Sequence, residues 1–408
     1  MQTVSLEALT ARLAVLPGTP RVVASGNFAA PMTALGAVDK ALETYRLYLL
    51  NAHPGIPDRE GVTLETSFVG PAMRRSPRLS YVPSRLSLVP RLFATTLPPD
   101  VVVLHTSRPY DGTVSLGSEV NILPAALEAV RRRGGLVVAQ VNPRMPYTFG
   151  DGVLPLEVVD FAVEVDEPLA SPGSVPLDDT ARAIGTRVAE RVGDGATLQL
   201  GIGAVPDATL YALAERRGLR LWSEMFSDGV LALDRAGALD PDAPITSSFL
   251  FGSPELYTWV DRNPRVRILR TETTNEPAVI AQQPAMTSVN TALQVDLFAQ
   301  ANASRINARI YSGFGGQTDF IVGALHSEGG QAFIALRSWH PKADVSTIVP
   351  LVDEPVTSFQ QTAVVTEHGV AEIWGHDQRS QARQLIDNTA APQVRDELEE
   401  EAGALGLL

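Results

Sequence analysis

Short apolar runs that alternate with helix-like segments constrain the fold of this chain most strongly. Residues 101–105 form an apolar run of strand length, residues 122–133 have the spacing of a helix, and a second apolar run covers Leu136–Val141 after two glycines. This order is typical of a βαβ unit, in which a helix joins two parallel strands. The sequence therefore predicts open α/β layers built on parallel sheets.

The same alternation returns in the second half of the chain. After an apolar run at 161–165, residues 167–176 contain three prolines and a glycine, which extend neither a helix nor a central strand. Beyond this predicted linker we expect helices at 180–192, 206–215, 229–236 and 254–261, with strands at 197–200, 219–222, 246–251 and 266–269. Because 408 residues exceed one ordinary core, we predict two open, mainly parallel-sheet α/β domains, residues 1–172 and 173–408.

The charge and the cysteine count exclude several kinds of chemistry. A net charge of −13 repels a phosphate backbone, so we expect no nucleic-acid partner. The chain has no cysteine, which excludes disulfides, thiolate nucleophiles and cysteine-ligated metals. The six histidines form no HxxxH or HExxH pair, so we expect no metal centre.

The sequence predicts neither a leader nor a membrane span. Residues 1–20 lack a basic region followed by an apolar core, and Leu6, Leu9 and Leu13 have the spacing of an amphipathic helix. The apolar runs are far shorter than the roughly 20 residues that cross a bilayer. We therefore expect a cytoplasmic protein without a membrane partner.

A carboxylate stands just beyond one of the predicted strands. In SEMFSDG, residues 223–229, Glu224 follows a strand end, where open α/β sheets bind ligands. One interpretation is that Glu224 and Asp228 complement the N-terminus of the next helix. The other makes Glu224 a carboxylate nucleophile.

Two glycine-containing segments are candidate ligand loops. In LQLGIGAVPD, residues 198–207, Gly201 and Gly203 let the backbone approach a ligand, and Pro206 suits the first turn of the following helix. The free N–H groups of that helix suit an anion. In YSGFGGQTDF, residues 311–320, consecutive N–H groups would form a nest that stabilises an oxyanion. Both segments also fit ordinary tight turns, so the residues alone leave their roles open.

Taken together, these segments resemble the acetyl-CoA hydrolase/transferase family of class I CoA-transferases, particularly its 4-hydroxybutyrate and butyryl-CoA:acetate CoA-transferase branch. The likeness rests on five motifs in the family's order: LQLGIGAVPDA at 198–208, SEMFSDG at 223–229, FLFGS at 249–253, NTALQVDL at 290–297 and SGFGGQTDF at 312–320. It continues through IVPL at 348–351 and VVTEHGVAE at 364–372, and looser matches in the first half extend it over nearly the whole chain.

The resemblance implies a ping-pong CoA-transferase whose active site lies between the two domains. Glu224 would attack an acyl-CoA thioester and then carry CoA as a glutamyl thioester, which a second small carboxylate resolves. It is expected to be ionised at neutral pH, as an unperturbed glutamate is. The resemblance also implies a homo-oligomer, expected to be a dimer, that needs no metal and contacts coenzyme A through Gly201, Ile202, Gly203, Ala204, Val205, Gly315 and Gly316.

The chain departs from the usual family residues at several positions, including the stretch RSWH at 337–340, which replaces a Pro-Ser-small-small pattern. Phe359 and Trp374 stand where basic residues are common, and His368 stands where tyrosine is common. Loss of a guanidinium weakens recognition of carboxylate or phosphate, so the acyl specificity does not follow from the family. Three alternatives stay open on the sequence: an acyl-CoA (acetyl-CoA) hydrolase, a non-catalytic CoA-binding protein, and a dinucleotide oxidoreductase, for which the Gly201 loop lacks a third glycine.

Overall fold

The computed structural model of the chain describes residues 1–172 and 177–408. Residues 173–176, at the end of the predicted linker, lie outside the described residues. The chain forms two compact units. Unit 1 comprises Met1–Pro172, Pro244–Thr274 and Ile310–Gly315, and unit 2 comprises the described residues of Gly173–Ala243, Asn275–Arg309 and Gly316–Leu408.

Unit 1 contains an eight-stranded sheet in which every neighbouring pair of strands is parallel. Its order is β1-β8-β7-β6-β2-β3-β4-β5. All six residues of β6 are buried, as expected for a parallel strand with both faces covered. The strands are β1 Gln2–Thr3, β2 Arg21–Ala24, β3 Tyr45–Tyr48, β4 Val62–Thr66, β5 Leu79–Tyr81, β6 Val101–Thr106, β7 Leu136–Val141 and β8 Phe161–Glu164.

Helices and short strands complete unit 1. Its helices are Leu6–Leu13, Met32–Ala41, Val89–Ala94, Leu123–Arg132, Pro254–Val260 and Thr271–Thr274. Thr113–Ser115 pairs antiparallel with Val153–Pro155, and Val266–Ile268 pairs parallel with Ile245–Ser247 on one side and Phe149–Gly150 on the other. The core of the unit packs apolar side chains of the sheet against the first two helices.

Unit 2 contributes six strands to a second, mainly parallel sheet, in the order β14-β13-β12-β11-β9-β10. Only the β13–β14 pair is antiparallel among these described strands. The strands are β9 Thr197–Leu200, β10 Arg220–Trp222, β11 Met286–Asn290, β12 Gln331–Ala335, β13 Ala363–Val365 and β14 Val370–Glu372. The helices are Asp179–Glu190, Ala204–Ala212, Asp228–Arg235, Pro277–Ile280, Gln317–His326, Gln378–Gln384 and Arg395–Ala404.

Each unit has a point where the strand order reverses. In unit 1 the chain runs from β2 outward to β5 and then returns to β6 on the other side of β2. In unit 2 it runs from β9 to β10 and later continues with β11 on the other side of β9. Ligands of open α/β sheets bind outside the carboxyl ends of the strands at such switch points.

The predicted fold class is confirmed, and most element boundaries agree within one or two residues. The predicted helix at 206–215 is wrong at both ends, because it begins at Ala204 and ends at Ala212. The predicted strand at 246–251 is divided into Ile245–Ser247 and Phe249–Leu250. The division into domains 1–172 and 173–408 stays a prediction, because each compact unit is made of three separate segments of the chain. No helix of the described residues is long and apolar enough to cross a membrane.

Candidate active site

Glu224 lies two residues beyond β10, in the segment that leads to the helix Asp228–Arg235. The residue is partly exposed, but its carboxyl group is surrounded by protein atoms. Asn275 Nδ2 donates a hydrogen bond to Glu224 Oε2 at 3.0 Å, and the backbone N–H of Gly316 donates to the same carboxyl. Two neutral donors therefore orient Glu224, whereas it is Asp228 that occupies the first turn of the helix.

The pKa of Glu224 is raised to about 7, chiefly because burial disfavours the charged carboxylate. The hydrogen bond from Asn275 opposes this rise, the nearby carboxylate of Asp319 adds to it, and the N–H of Gly316 opposes it. The expectation of an unperturbed glutamate is therefore wrong. Near neutral pH, Glu224 is divided between its protonated and ionised forms.

Gly316 approaches Glu224 more closely than any other residue type could. A Cβ atom at this position would overlap Glu224 Oε2 and Asn275 Nδ2. The absent side chain lets the backbone N–H reach the carboxyl, so glycine is required here by contact rather than by backbone dihedral angle. Gly316 also precedes the helix Gln317–His326, whose first turn carries the buried Asp319.

The Gly201–Val205 segment leads from β9 into the helix Ala204–Ala212. Gly203 has φ 120° and ψ 178°, a conformation that side-chain-bearing residues rarely adopt. Apart from the chain neighbours of each glycine, no atom of the described residues lies within 4 Å of the position that a Cβ would take at Gly201 or Gly203, and Ile202 is exposed. In the part of the chain that the structure describes, no side chain caps this helix. The segment thus offers open space and a helix N-terminus to a ligand.

Hydrogen bonds connect this segment with the chain around Glu224. The buried Ser223 Oγ donates to the carbonyl of Leu200 at 3.1 Å. Ser227 Oγ donates to Asp207 Oδ1 at 3.3 Å, and burial raises the pKa of Asp207. The residues before and after Glu224 are therefore tied to β9 and to the helix that follows the glycine segment.

A polar network fixes the carboxyl ends of β9 and β11, at the switch point of unit 2. Gln199 Oε1 accepts hydrogen bonds from Ser288 Oγ at 2.6 Å and from Asn290 Nδ2 at 3.1 Å. Asn290 Nδ2 also lies 2.8 Å from Ser288 Oγ. Because these side chains satisfy one another, they hold the carboxyl ends of the two strands at a fixed separation.

The other glycines of the third segment belong to unit 1. The carbonyl of Gly315 accepts from the N–H of Leu86 at 2.9 Å, and the carbonyl of Ser312 accepts from Val69 at 2.7 Å. Gly315 has a positive φ of 55°. In unit 2 the N–H of Gly316 already binds the Glu224 carboxyl, so the predicted oxyanion nest stays a prediction for the remaining N–H groups.

Two of the three single residues named above as differing from the usual family residues, Phe359 and Trp374, lie together in unit 2. Phe359 and Trp374 line one open groove of about 700 Å³, together with apolar residues of the helix Gln317–His326. Trp374 is 57 % exposed. The third, His368, has its Nε2 3.8 Å from Glu367 Oε1. The groove has an apolar character where basic residues were expected from the resemblance.

Sequence reasoning missed Asn275 and left Asp319 without a role. Asn275 is fully buried between two one-turn helices, Thr271–Thr274 and Pro277–Ile280. Asp319 belongs to a motif that was noted for its glycines. In the sequence, Asn275 and Asp319 are marked only by their polar side chains, and this does not show that either of them lies near Glu224.

A metal site is not evident in the described part of the chain. Within residues 1–172 and 177–408, no group of three or more histidine, aspartate and glutamate side chains is arranged to hold an ion. The expectation of metal-free chemistry stays a prediction.

Comparisons with known proteins identify the family. The sequence profile of the acetyl-CoA hydrolase/transferase N-terminal domain matches residues 63–171, and that of the C-terminal domain matches residues 252–402. The chain belongs to the acetyl-CoA hydrolase/transferase family. Glu224 lies between the two matched segments, whereas Asn275 and Gly316 lie in the second.

Within that family the chain is a CoA-transferase. It is 40 % identical to 4-hydroxybutyrate coenzyme A transferase of Clostridium kluyveri over 81 % of this chain and 80 % of the relative. It is 34 % identical to succinyl-CoA:acetate/propanoyl-CoA:succinate CoA transferase of Fasciola hepatica, over 90 % and 80 %. Acetyl-CoA hydrolase of Neurospora crassa is more distant, at 27 % identity over 71 % and 63 %.

A solved structure supports the same assignment. The crystal structure of 4-hydroxybutyrate CoA-transferase from Porphyromonas gingivalis superposes with a TM-score of 0.83. It is 32 % identical in sequence, and the superposition covers 99 % of this chain and 98 % of that one.

Proposed function

We propose that the protein transfers CoA between small carboxylic acids by a ping-pong mechanism, with Glu224 as the nucleophile. The observation that carries the proposal is the carboxyl of Glu224 held by Asn275 Nδ2 and the Gly316 N–H. These donors are neutral, so they orient the carboxylate without neutralising it. The relatives named as CoA-transferases support acyl-CoA and carboxylate substrates.

The first half-reaction breaks the thioester of the donor. A Glu224 oxygen attacks the thioester carbonyl carbon, the C–S bond breaks, and an acyl–glutamyl anhydride and CoA thiolate result. The thiolate then attacks the glutamyl carbonyl carbon, the first carboxylate leaves, and a glutamyl-CoA thioester remains. The second acid reverses these steps and restores the Glu224 carboxylate. No net proton or electron is transferred.

The contacts of Glu224 suit both of its roles. When the glutamyl carbonyl is attacked, negative charge develops on the oxygen that remains, and Asn275 Nδ2 and the Gly316 N–H are donors aimed at this carboxyl. The raised pKa makes the carboxylate a stronger base and nucleophile than an exposed glutamate. Because of the same raised pKa, Glu224 is protonated in a fraction of the enzyme molecules at pH 7, and these molecules cannot attack the thioester.

The open segment from Gly201 to Val205 is our candidate for contacting CoA. Its uncapped helix N-terminus and the free space beside Gly201 and Gly203 suit a phosphate or pantetheine group. We assign Ile202, Ala204, Gly315 and Gly316 to the same role on the family resemblance. A cytoplasmic location and a homodimer likewise stay predictions.

The covalent intermediate can be tested directly. The purified protein is mixed with acetyl-, propionyl-, butyryl- or succinyl-CoA in turn, digested quickly with trypsin at mildly acidic pH, and analysed by mass spectrometry. We expect a CoA-sized adduct on the peptide of residues 221–235, and none in Glu224→Ala. Steady release of free CoA without an acceptor acid would indicate a hydrolase. Binding of CoA without any adduct or turnover would indicate a non-catalytic binding protein.

A further inference from the structure

Gln317, the residue that follows the Gly316 donor, makes a side-chain contact that the proposed mechanism does not use. Its Nε2 donates a hydrogen bond of 3.2 Å to the backbone carbonyl of Thr291. Gln317 is the first residue of the helix Gln317–His326, and Thr291 directly follows the last residue of β11. This bond therefore ties the start of the helix, and Gly316 with it, to the carboxyl end of β11.

The carboxyl end of β11 is in turn joined to β9 by side chains. Asn290, the last residue of β11, donates from Nδ2 to Gln199 Oε1 at 3.1 Å. Gln199 is 4 % exposed, and it lies opposite the buried Ser288 in the parallel pairing of the two strands. Ser288 Oγ donates to the same Gln199 oxygen at 2.6 Å. A buried network whose members satisfy one another holds a single arrangement of these strand ends.

β9 is connected to the nucleophile by the residue before Glu224. The buried Ser223 donates from Oγ to the carbonyl of Leu200, the last residue of β9, at 3.1 Å. β9 thus holds the backbone beside Glu224, whereas β11 holds the backbone beside Gly316. The hydrogen bond from the Gly316 N–H to the Glu224 carboxyl closes a circuit of contacts that lies entirely in unit 2.

The contact between Gly316 and Glu224 has little tolerance for displacement. A Cβ at Gly316 would overlap Glu224 Oε2, so the backbone is already as close to the carboxyl as a glycine permits. An N–H donor is effective only when it points at its acceptor, and a shift of about 1 Å at a reacting group can cost about 100-fold in rate. Gly316 has no side chain of its own to anchor it, so neighbouring residues must hold it in place.

We propose that three neutral side chains aim the Gly316 N–H at the carboxyl of Glu224 and are positioning residues for CoA transfer. They are Gln317, Asn290 and Gln199. Because none of them is charged, they act through geometry and not through the electric field at the carboxylate. The inference rests on the proposed function for the reaction that it serves, but the aim of the N–H can be measured without turnover.

Two variants each break one link of the circuit. Gln317→Met keeps the length of the side chain and removes the N–H that reaches Thr291. Asn290→Ala removes the donor to Gln199, while the bond between Ser288 and Gln199 remains. Gln378→Met is the matched control, because Gln378 is exposed and is likewise the first residue of a helix of unit 2. Thermal unfolding checks that each variant is folded.

Kinetics give the first measurement. Transfer of CoA from acetyl-CoA to a carboxylate is followed from pH 5 to pH 9, so that kcat can be read on the plateau where Glu224 is ionised. We expect the plateau kcat to fall about tenfold in Gln317→Met and by less in Asn290→Ala. Gln378→Met should match the wild type. A purely structural role would lower the midpoint of thermal unfolding and leave the plateau unchanged.

A titration of the free, full-length protein gives the second measurement. The side-chain carboxyl carbons of glutamate are labelled with ¹³C, and the Glu224 signal is the one that is missing from Glu224→Gln. The Gly316 N–H lowers the pKa of Glu224, so weakening this bond should raise the pKa, by about half a pH unit or more in Gln317→Met. Asp319, the charged group that acts on Glu224, is present in all these variants, so the comparison isolates the hydrogen bond.

The two measurements separate the inference from the proposed function. A Glu224 titration equal to that of the wild type in either folded variant would overturn the inference, and so would an equal shift in Gln378→Met. A raised titration in Gln317→Met and Asn290→Ala, in a protein that transfers CoA from no donor, would overturn only the proposed function. The expected result is a raised titration together with a lower plateau kcat in the same two variants.

Discussion

Each of the two units holds a glutamate whose carboxyl group is surrounded by protein, and the two glutamates differ in their access and partners. Burial raises the pKa of both Glu224 and Glu119 to about 7. Glu224 receives two neutral donors and is partly exposed as a residue, whereas Glu119 is 2 % exposed and interacts with the N–H of Gly26 and the side chain of Asn27. A raised pKa therefore does not identify a nucleophile. Access and a fixed orientation distinguish the carboxyl that can react.

The largest expected effect is the loss of the nucleophile. Glu224→Gln keeps the shape of the side chain and an acceptor for Asn275, but the amide cannot form the anhydride. We expect transferase kcat to fall by a factor of about 10⁴ or more. The assay is CoA transfer between acetyl-CoA and a series of carboxylates. Because Glu119 is inaccessible, Glu119→Gln should retain covalent labelling of Glu224, and loss of that labelling would contradict the distinction.

A methyl group at Gly316 tests the difference between the two glutamates, because it disturbs the carboxyl of Glu224 and leaves Glu119 unchanged. Gly316→Ala places Cβ on the Glu224 carboxyl, so we expect kcat to fall about 10²- to 10³-fold through loss of orientation. Gly201→Ala is the matched control, since its Cβ would meet no atom of the described chain within 4 Å beyond its own chain neighbours. We expect it to raise KM for acyl-CoA while preserving thermal stability. Equal losses of kcat in the two variants would argue against the orienting role of Gly316.

The pH dependence tests the balance of forces on Glu224. Ionisation of the nucleophile predicts that kcat/KM rises with pH through an apparent pKa of about 7. Asn275→Ala removes a hydrogen bond that lowers this pKa, so the limb should move to higher pH, with activity at pH 7 falling about 10- to 100-fold. Asp319→Asn should move the limb to lower pH. An unchanged limb in both variants would mean that another group controls it.

Stability measurements compare the two glutamates on one scale. A folded pKa raised from 4.5 to about 7 stabilises the protein fully below pH 4.5, and this contribution is lost as pH rises through 7. The wild type should lose unfolding free energy between pH 5 and pH 8 that Glu224→Gln and Glu119→Gln do not lose. The difference in unfolding free energy between each variant and the wild type should therefore grow by roughly 2–3 kcal/mol at most over this range. Urea unfolding at both pH values measures this difference. Growth of the difference for one variant alone would show that the other carboxyl is not held in a raised-pKa state.

Sequence patterns predicted the layers of this fold well, because parallel strands buried on both faces leave continuous apolar runs. The runs at 101–105 and at Leu136–Val141 became β6 and β7 nearly unchanged. The division of 246–251 was not visible, because the bend at Ser248 lies among small polar residues and no glycine or proline marks it. The start of the helix at Ala204 was also missed. Proline is accepted within the first turn of a helix, so Pro206 indicates that a helix begins nearby but does not fix its first residue.

The site was only partly predictable for a related reason. Glu224 and Gly316 belong to motifs that are recognisable in the sequence. Glu224 follows β10 and Gly316 precedes a helix, and both positions predict a residue that contacts a ligand. Asn275 is brought to Glu224 across 51 residues of chain by tertiary packing, which no local pattern records. The raised pKa of Glu224 likewise depends on burial and on Asp319, and both follow from the folded arrangement.

The chain order of unit 1 has a consequence for synthesis. Its last segment, Ile310–Gly315, is separated from Pro172 by much of unit 2. At roughly 5–20 residues per second, the ribosome needs about ten seconds or more to pass from the first segment to the last. The piece Pro244–Thr274 is made partway through that interval, and the piece Ile310–Gly315 only at its end. Unit 1 can therefore be completed only after the ribosome has passed Gly315, whereas a unit made of one continuous segment can be completed as soon as that segment has emerged.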